Sequence, residues 1–284
     1  MSHLPFNTTD ILIVGNPTHD VIVQKDGSKY EGLGGAVSYA ASVVKGLKQN
    51  FRAVSKVGGD FKYLDQCSFS PEKITNFQTT CFINHDHPNG RIFSVPAQCA
   101  PISPDDIHHQ AHIALACGVI GEVLAETLAR LRQQSKILIG DIQGLIRRLN
   151  SSGEVVHTDI KSTPFHVSMH LFDFLKVNEE ELPFIDIALC RKKTTILVTR
   201  GEDGCTVYEQ KSEYHVQTPP RPSIDSTGAG DCFLAGFASG LNRGLTTREA
   251  VNLGNTCGGL ATQTMGVPKF EVFRVGQTPS KYAK

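Results

Sequence analysis

The sequence of 284 residues lacks an excess of charge of either sign and lacks any long apolar run. Its 28 basic and 28 acidic side chains give a formal net charge of +0, and no basic block stands out. This balance argues against nucleic acid or an acidic membrane as the main partner. No apolar run could span a bilayer, and the first residues lack the charged and apolar regions of a signal peptide. We therefore expect a cytoplasmic protein without a membrane partner.

The sequence also lacks paired cysteines, because its eight cysteines are spread singly and none forms a C-x-x-C pair. That pattern disfavours a zinc site or a redox motif and suits reduced thiols in the cytosol. His108 and His112 would share one face of a helix, but no cysteine or carboxylate pattern accompanies them. We do not predict a metal site there.

Internal repeats, low-complexity tracts and interdomain linkers are absent as well, so we expect a single domain over residues 1–284. The apolar content of 40% and the charged content of 20% are typical of globular proteins. Short, mainly apolar segments at 10–15, 52–60, 113–119, 136–141, 172–177 and 195–199 predict buried strands. From residue 113 onward they alternate with helical segments. This order predicts an α/β fold with a mainly parallel sheet and helices on both faces.

The stretch at 225–237 carries the strongest chemical signal. Gly228, Ala229 and Gly230 precede apolar residues at helical spacing, so small residues stand where a helix begins. Free amides and the helix dipole favour phosphate oxygens at such a place. Asp231 would repel phosphate unless it has another task, and the obvious one is to accept a proton from an attacking hydroxyl. The alternative is a tight turn whose aspartate merely begins the helix.

Residues 225–231 resemble the D-T-x-G-A-G-D signature of the ribokinase-like (pfkB) carbohydrate kinases. The resemblance implies a ribokinase-like α/β fold with a small β lid, and ATP with Mg²⁺ as cofactors. It also implies that the amides of Gly228, Ala229 and Gly230 form the anion hole and that Asp231 is the catalytic base.

On the substrate side, Asp20 lies in a polar loop after the first strand, where ligands bind in parallel sheets. In the family, the matching aspartate commonly contacts the sugar; the alternative is an aspartate in a turn. The pair Gly34 and Gly35 opens a helix, but Tyr39 stands where the family usually has asparagine. Segments of about 19–33 and 77–98 are expected to form the lid, so the protein is a monomer or a lid-mediated homodimer. Further candidates for substrate binding follow the strand at 136–141: Asp141, Gln143 and Arg147.

On the nucleotide side, the resemblance places an N-x-x-E motif at Asn178 and Glu181. In the family this motif influences magnesium and phosphate binding, usually through water, so Glu181 is an indirect metal candidate. The alternative is a helix start. The family's T-x-G-x-x-G pattern falls in a Gly-rich segment that could equally be a hairpin. The implied ATP-binding residues are Asn178, Thr199, Arg200, Gly201, Gly204, Gly228, Gly230 and Asn255.

A closer resemblance, to the plant-type myo-inositol kinases, rests on several segments together. It implies transfer of phosphate from ATP to one ring hydroxyl of a small polyol, myo-inositol. A sugar or nucleoside kinase of other specificity is the alternative, followed by a non-catalytic relative kept for protein interaction. The segments are 14–21, 33–36, 54–58, 118–122, 141–147 and 266–270.

Overall fold

The structure is a computed structural model that describes residues 8–23, 27–87 and 90–270. Its strands in chain order are β1 (Thr8–Val14), β2 (Thr18–Val23), β3 (Lys29–Gly34), β4 (Phe51–Val54), β5 (Lys56–Gly58), β6 (Lys73–Thr75), β7 (Cys81–His87), β8 (Gly90–Ala97), β9 (Gln110–Ala116), β10 (Ser135–Asp141), β11 (Arg147–Leu149), β12 (Val155–His157), β13 (Phe174–Asn178), β14 (Thr195–Thr199), β15 (Cys205–Tyr208) and β16 (Glu213–Val216). Its α-helices are α1 (Ala36–Gly46), α2 (Ala125–Gln134), α3 (Gln143–Ile146), α4 (Ile187–Cys190), α5 (Ala229–Asn242) and α6 (Thr247–Ala261).

The main sheet has eight strands in the order β16-β15-β14-β13-β10-β9-β1-β4. Every pair from β4 to β14 is parallel, whereas β14, β15 and β16 are joined by antiparallel pairs. The predicted mainly parallel sheet is therefore confirmed. Its parallel strands end at one edge, where the loops are free to hold a ligand.

Helices cover both faces of this sheet, as predicted. Side chains alternate between the faces along a strand, so Ile11 and Ile13 pack against α1, α5 and α6. Leu12 and Val14 face the opposite side, in a second core that includes α2. All four side chains are fully buried. Burial on both sides explains why β1 is a continuous apolar run rather than an alternating pattern.

A second sheet of four strands has the order β3-β2-β7-β8. Its strands come from the segments expected to form the lid, 19–33 and 77–98, with a parallel pair between two antiparallel ones. The two expected hairpin turns lie partly outside the described residues, at 24–26 and 88–89. We call this the small sheet.

The predicted strand at 52–60 is divided into two strands. β4 pairs with β1 in the main sheet, but β5 leaves it and pairs with β6. The break occurs where the Lys56 amide donates to the Asn16 side-chain oxygen at 2.8 Å instead of to a neighbouring strand. The sequence analysis also gave no indication of the antiparallel pair β11–β12.

Candidate active site

The start of α5 lies at the carboxyl edge of the main sheet and has the backbone geometry of a bare helix end. Gly228, the residue before the helix, has φ 75°, a left-handed conformation that favours glycine. A Cβ at Gly228 would lie 2.1 Å from the Tyr39 ring, so glycine is also required by space. The Ala229 amide donates to the Ser226 carbonyl at 3.2 Å. The first turn thus differs from the sequence expectation in that the Ala229 amide is already engaged in a turn.

Asp231 is the third residue of α5 and is half-buried. Its Oδ1 accepts a hydrogen bond from the Gln143 side chain at 3.2 Å, which joins two predicted site residues 88 positions apart. Burial, reinforced by the charge of Asp141, raises the pKa of Asp231 to about 7. A carboxylate with this pKa can both hold and release a proton near neutral pH, which suits a general base.

Lys176 is a functional candidate that the sequence analysis missed. Its Nζ lies 2.9 Å from Asp141 Oδ2, and both side chains are almost completely buried. A Cβ at Gly230 would lie 2.8 Å from this Nζ, so the ammonium group sits directly against the first turn of α5. Burial alone would lower the pKa of Lys176, but Asp141, Glu181 and Asp231 together raise it above its ordinary value. The sequence did contain a signal for this residue, because Lys176 is a charged side chain within a strand that is otherwise apolar up to Val177.

Asp20 lies on β2 of the small sheet and contacts the backbone at the entrance of α1. Its carboxyl group lies against Gly34, where an added Cβ would be 2.0 Å from the carboxyl carbon. Thr18 Oγ1 donates to Asp20 Oδ1 at 2.5 Å. Burial raises the pKa of Asp20 to about 6 despite this hydrogen bond. Gly35 has φ 86°, and a Cβ there would lie 2.6 Å from the Asn16 carbonyl oxygen.

Tyr39 contacts the start of α5 and lies near both Asp20 and Asp231. It is buried in α1, its ring lies on Gly228, and the carboxylates of Asp20 and Asp231 are close enough to raise its pKa, after the larger effect of burial. The position where the family usually has asparagine is thus filled by an aromatic wall.

Asn178 and Glu181 form a reciprocal pair after β13. The Asn178 amide donates to Glu181 Oε2 at 2.8 Å, and the Glu181 amide donates to Asn178 Oδ1 at 2.9 Å. Glu181 is fully buried, burial raises its pKa, and its Oε1 has no hydrogen-bond partner within the described ranges. Such a buried oxygen fits a water molecule on a magnesium ion. Among the described residues, no group of three or more histidine, cysteine and acidic side chains could hold a metal directly.

The remaining nucleotide candidates lie at the ends of β14 and β16. Thr199 ends β14, and the Arg200 guanidinium contacts Glu179 Oε1 at 2.5 Å. Gly201 and Gly204 both have positive φ, as a tight connection to β15 requires. Asn255 is buried in α6, and its side-chain nitrogen donates to the carbonyls at the end of β16.

The structure therefore brings most predicted residues together but not all of them. Gln143 touches Asp231, and the charges of Asp141, Arg147 and Glu181 act on Asp231. Asn255 is engaged with the backbone at β16 rather than with this cluster.

Within the described part of the chain, no helix is both long enough and apolar enough to cross a membrane.

Comparison with known proteins defines the class first. A model of the pfkB family of carbohydrate kinases matches residues 166–270. The inositol 3-kinase of Arabidopsis thaliana is 35% identical over 274 residues, which cover 92% of this chain and 76% of that protein. The chain belongs to the pfkB carbohydrate kinase family, as the signature predicted, and the family makes it a small-molecule kinase.

The relatives that match over about nine-tenths of the chain include inositol 3-kinases. The inositol 3-kinase of Zea mays is also 35% identical, over 91% of this chain and 73% of its own length. Among solved structures, a pyrophosphate-dependent ribokinase-family kinase complexed with a pyrophosphate analog and myo-inositol has a TM-score of 0.78 at 19% identity, covering 91% of this chain and 97% of its own. Arabidopsis thaliana ribokinase complexed with ribose and ATP has a TM-score of 0.71 at 19% identity, covering 93% and 96%. These structures confirm the predicted ribokinase-like fold.

Proposed function

We propose that this protein transfers the terminal phosphate of ATP to a hydroxyl of myo-inositol and releases an inositol monophosphate. The observation that carries the substrate is the similarity to plant inositol 3-kinases over about nine-tenths of the chain. The position of Asp231, at the start of α5 and beside Gln143, supports the chemistry.

In this mechanism Asp231 accepts the proton of the inositol hydroxyl as the oxygen attacks the γ-phosphate. A base in hydrogen-bond reach contributes on the order of 10²–10⁴ in rate. The backbone at Gly228, Ala229 and Gly230 forms the anion hole, and its amides stabilise the charge that develops on the transferring group. At Ala229, a phosphate oxygen would have to share or displace the bond of 3.2 Å between this amide and the Ser226 carbonyl.

The substrate is uncharged, so several directed hydrogen bonds must hold it. We assign this role to Asp20, Gln143 and Arg147. Asp141 is buried against Lys176 and would act by holding Gln143, whose backbone amide donates to Asp141 Oδ1 at 3.0 Å. Gly34 and Gly35 contribute by keeping the backbone close to Asp20. The small sheet would then close over the bound polyol as a lid and exclude water, which prevents hydrolysis of ATP.

The nucleotide would lie along the ends of β13 and β14, near Asn178, Thr199, Arg200, Gly201 and Gly204. Asn255 would shape this pocket through its hold on the end of β16. Mg²⁺ supplies charge neutralisation on the phosphate oxygens when it is bound. Glu181 would hold it indirectly, through water at the unpartnered Oε1.

The alternative is a sugar or nucleoside kinase of other specificity. Fructokinases match with 36% identity, but over only 35% of this chain. A non-catalytic interaction protein is less well supported, since Asp231 and the glycines before it are retained.

The test is a panel of acceptors and donors with the purified protein. We expect phosphorylation of myo-inositol from MgATP to exceed that of ribose, fructose and adenosine at equal concentration. Equal or faster turnover of another acceptor would transfer the assignment to that substrate. Pyrophosphate belongs in the donor panel, because a faster rate with it than with ATP would overturn ATP as donor. The position of the phosphate on the product follows from its NMR spectrum.

We also propose a cytoplasmic location and, as the alternative to a monomer, a lid-mediated homodimer. Eight cysteines without a disulfide suit a reducing compartment, which supports a cytoplasmic location. The small sheet has β3 and β8 at its edges, and pairing there would give a lid-mediated homodimer. Light scattering of the purified protein distinguishes that dimer from a monomer.

A further inference from the structure

We propose that Lys176 is a positioning residue that keeps Asp231 ionised for proton acceptance by compensating the negative charge of Asp141 and Glu181. The proposal rests on the proposed function and explains how its base can act in a crowded acidic site. It begins from an anomaly of β13. Leu175 and Val177 are fully buried in the main sheet, and between them stands a buried ammonium group. A buried charge is strongly unfavourable unless other groups pair with it.

The geometry places the ammonium group between the carboxylates and the anion hole. Nζ donates to Asp141 Oδ2 at 2.9 Å, which uses one of its three hydrogens. On another side Nζ faces Gly230, where an added Cβ would lie 2.8 Å from it and would force the ammonium group to move. Gly230 immediately precedes Asp231 in α5. The positive charge is therefore held under the helix turn that carries the catalytic base.

The charges around Asp231 explain why a cation is needed. Asp141 and Glu181 repel its ionised form, and burial disfavours that form further. Lys176 is the largest opposing influence, ahead of Arg147. Without the ammonium group, Asp231 would stay protonated at neutral pH and could not accept a proton. The titratable and charged groups that act on Asp231 or lie beside it are Asp141, Lys176, Arg147, Glu181, Tyr39, Cys117 and Cys232.

A purely structural role would look different. If Lys176 only neutralised buried Asp141, its loss would lower stability and reduce activity equally at every pH. The charge-compensation role instead predicts an activity loss that alkaline pH reverses.

The experiment measures kcat/KM for phosphorylation from pH 5.5 to 9.5 in the wild type, Lys176→Met and the double variant Asp141→Asn/Lys176→Met. The acidic limb of this profile reports the base in the free enzyme. We expect Lys176→Met to move the limb upward by about one pH unit or more, which from a starting value of about 7 is roughly a fivefold or larger loss at pH 7 that recovers above pH 9. The double variant removes one charge of each sign, so its limb should return toward that of the wild type. A parallel fall at all pH values, with the limb unmoved, would overturn the proposal.

Lys56→Met is the matched control. Lys56 forms an ion pair of 2.7 Å with buried Asp106, which Lys73 also contacts, and neither lysine is among the main charges acting on Asp231. Its removal tests the general effect of breaking a buried pair and should leave the limb in place. If Lys176→Met does not fold, the double variant is measured instead, because it removes both members of the buried Lys176–Asp141 pair. A limb more than one unit above that of the wild type would then contradict charge compensation.

A second readout does not need activity. Carboxyl ¹³C NMR, with Asp231→Asn for assignment, follows the titration of Asp231 directly. An upward shift in Lys176→Met supports the proposal even if the acceptor proves to be a different polyol. An unshifted titration overturns it, whereas failure of the inositol assay alone counts only against the proposed function.

Discussion

The first turn of α5 combines a helix start with a carboxylate that competes with an incoming phosphate for the same positive potential. A helix start attracts anions, and Asp231 is itself an anion within that turn. The arrangement is tolerated because Gln143 donates to the carboxylate and Lys176 lies against Gly230. Such a site stores unfavourable energy in the free enzyme, which is common where function requires a perturbed carboxylate.

Replacing the base should abolish most turnover. We expect Asp231→Asn to lower kcat by roughly 10²–10⁴ and to leave ATP binding within a few-fold of the wild type, because the amide keeps the shape but cannot accept the proton. Steady-state kinetics and a nucleotide titration measure the two quantities. Turnover close to that of the wild type would remove Asp231 from the mechanism.

The same substitution should stabilise the protein in a pH-dependent way. The folded pKa of Asp231 is about 7 against an ordinary value of 3.8, so folding favours the protonated form. That contribution is complete below pH 4 and is lost as the pH rises through 7. The free energy of unfolding of Asp231→Asn should therefore exceed that of the wild type by roughly 1–2 kcal/mol at pH 8 and by little at pH 4. The gain at pH 8 is limited because Asp231 is only half-buried. Chemical denaturation at both pH values checks this, and a gain that is equal at both would contradict it.

At the scale of elements, the site depends on close contact between the small sheet and α1. β2 carries Asp20, β3 ends at Gly34, and α1 begins two residues later. No side chain fits between the Asp20 carboxyl group and the Gly34 backbone. This contact fixes the small sheet relative to α1, whose Tyr39 in turn lies on α5.

Enlarging Gly34 should impair substrate binding more than stability. The Cβ of Gly34→Ala would displace the Asp20 carboxylate, so we expect KM for the polyol to rise tenfold or more while KM for ATP changes little. Gly59→Ala is the matched control, since nothing lies within 4 Å of its added Cβ. Equal effects of the two substitutions on the polyol KM would separate Asp20 from substrate binding.

At the scale of the whole molecule, two apolar cores on either side of one sheet hold the chain together. Five of the eight cysteines, Cys99, Cys117, Cys205, Cys232 and Cys257, are buried. The other three are half-buried, and burial raises the pKa of Cys67 to about 11 and also raises those of Cys81 and Cys190. The thiols therefore behave as small apolar side chains rather than as reactive groups.

This arrangement predicts slow thiol modification in the folded protein. At pH 7.5, no more than three thiols should react with a disulfide reagent within minutes, and all eight should react in denaturant. The addition of a reductant should not change activity. Rapid reaction of four or more thiols in the folded protein would contradict the described burial.

The sequence alone determined the class of fold and located the proposed catalytic residues at one helix start. The apolar run that begins at residue 113 lies in β9, because a short apolar segment that alternates with helical segments favours a buried parallel strand. The signal at 228–231 is equally local, since small residues, a helix start and a carboxylate are adjacent in the chain. The resemblance to myo-inositol kinases rested on short segments, and the similarity to inositol 3-kinases bears out that resemblance.

Only the tertiary structure decided which distant residues meet. The contact of Lys176 with Asp141 spans 35 positions, and the contact of Gln143 with Asp231 spans 88. Sequence patterns report the face or end of an element but not its neighbour. They therefore assigned no role to Lys176, and they showed Tyr39 only as a residue that replaces the family's usual asparagine. The charge of Lys176 acts on Asp231, and the ring of Tyr39 lies on Gly228. Both contacts arise because parallel strands and helix starts converge at one sheet edge.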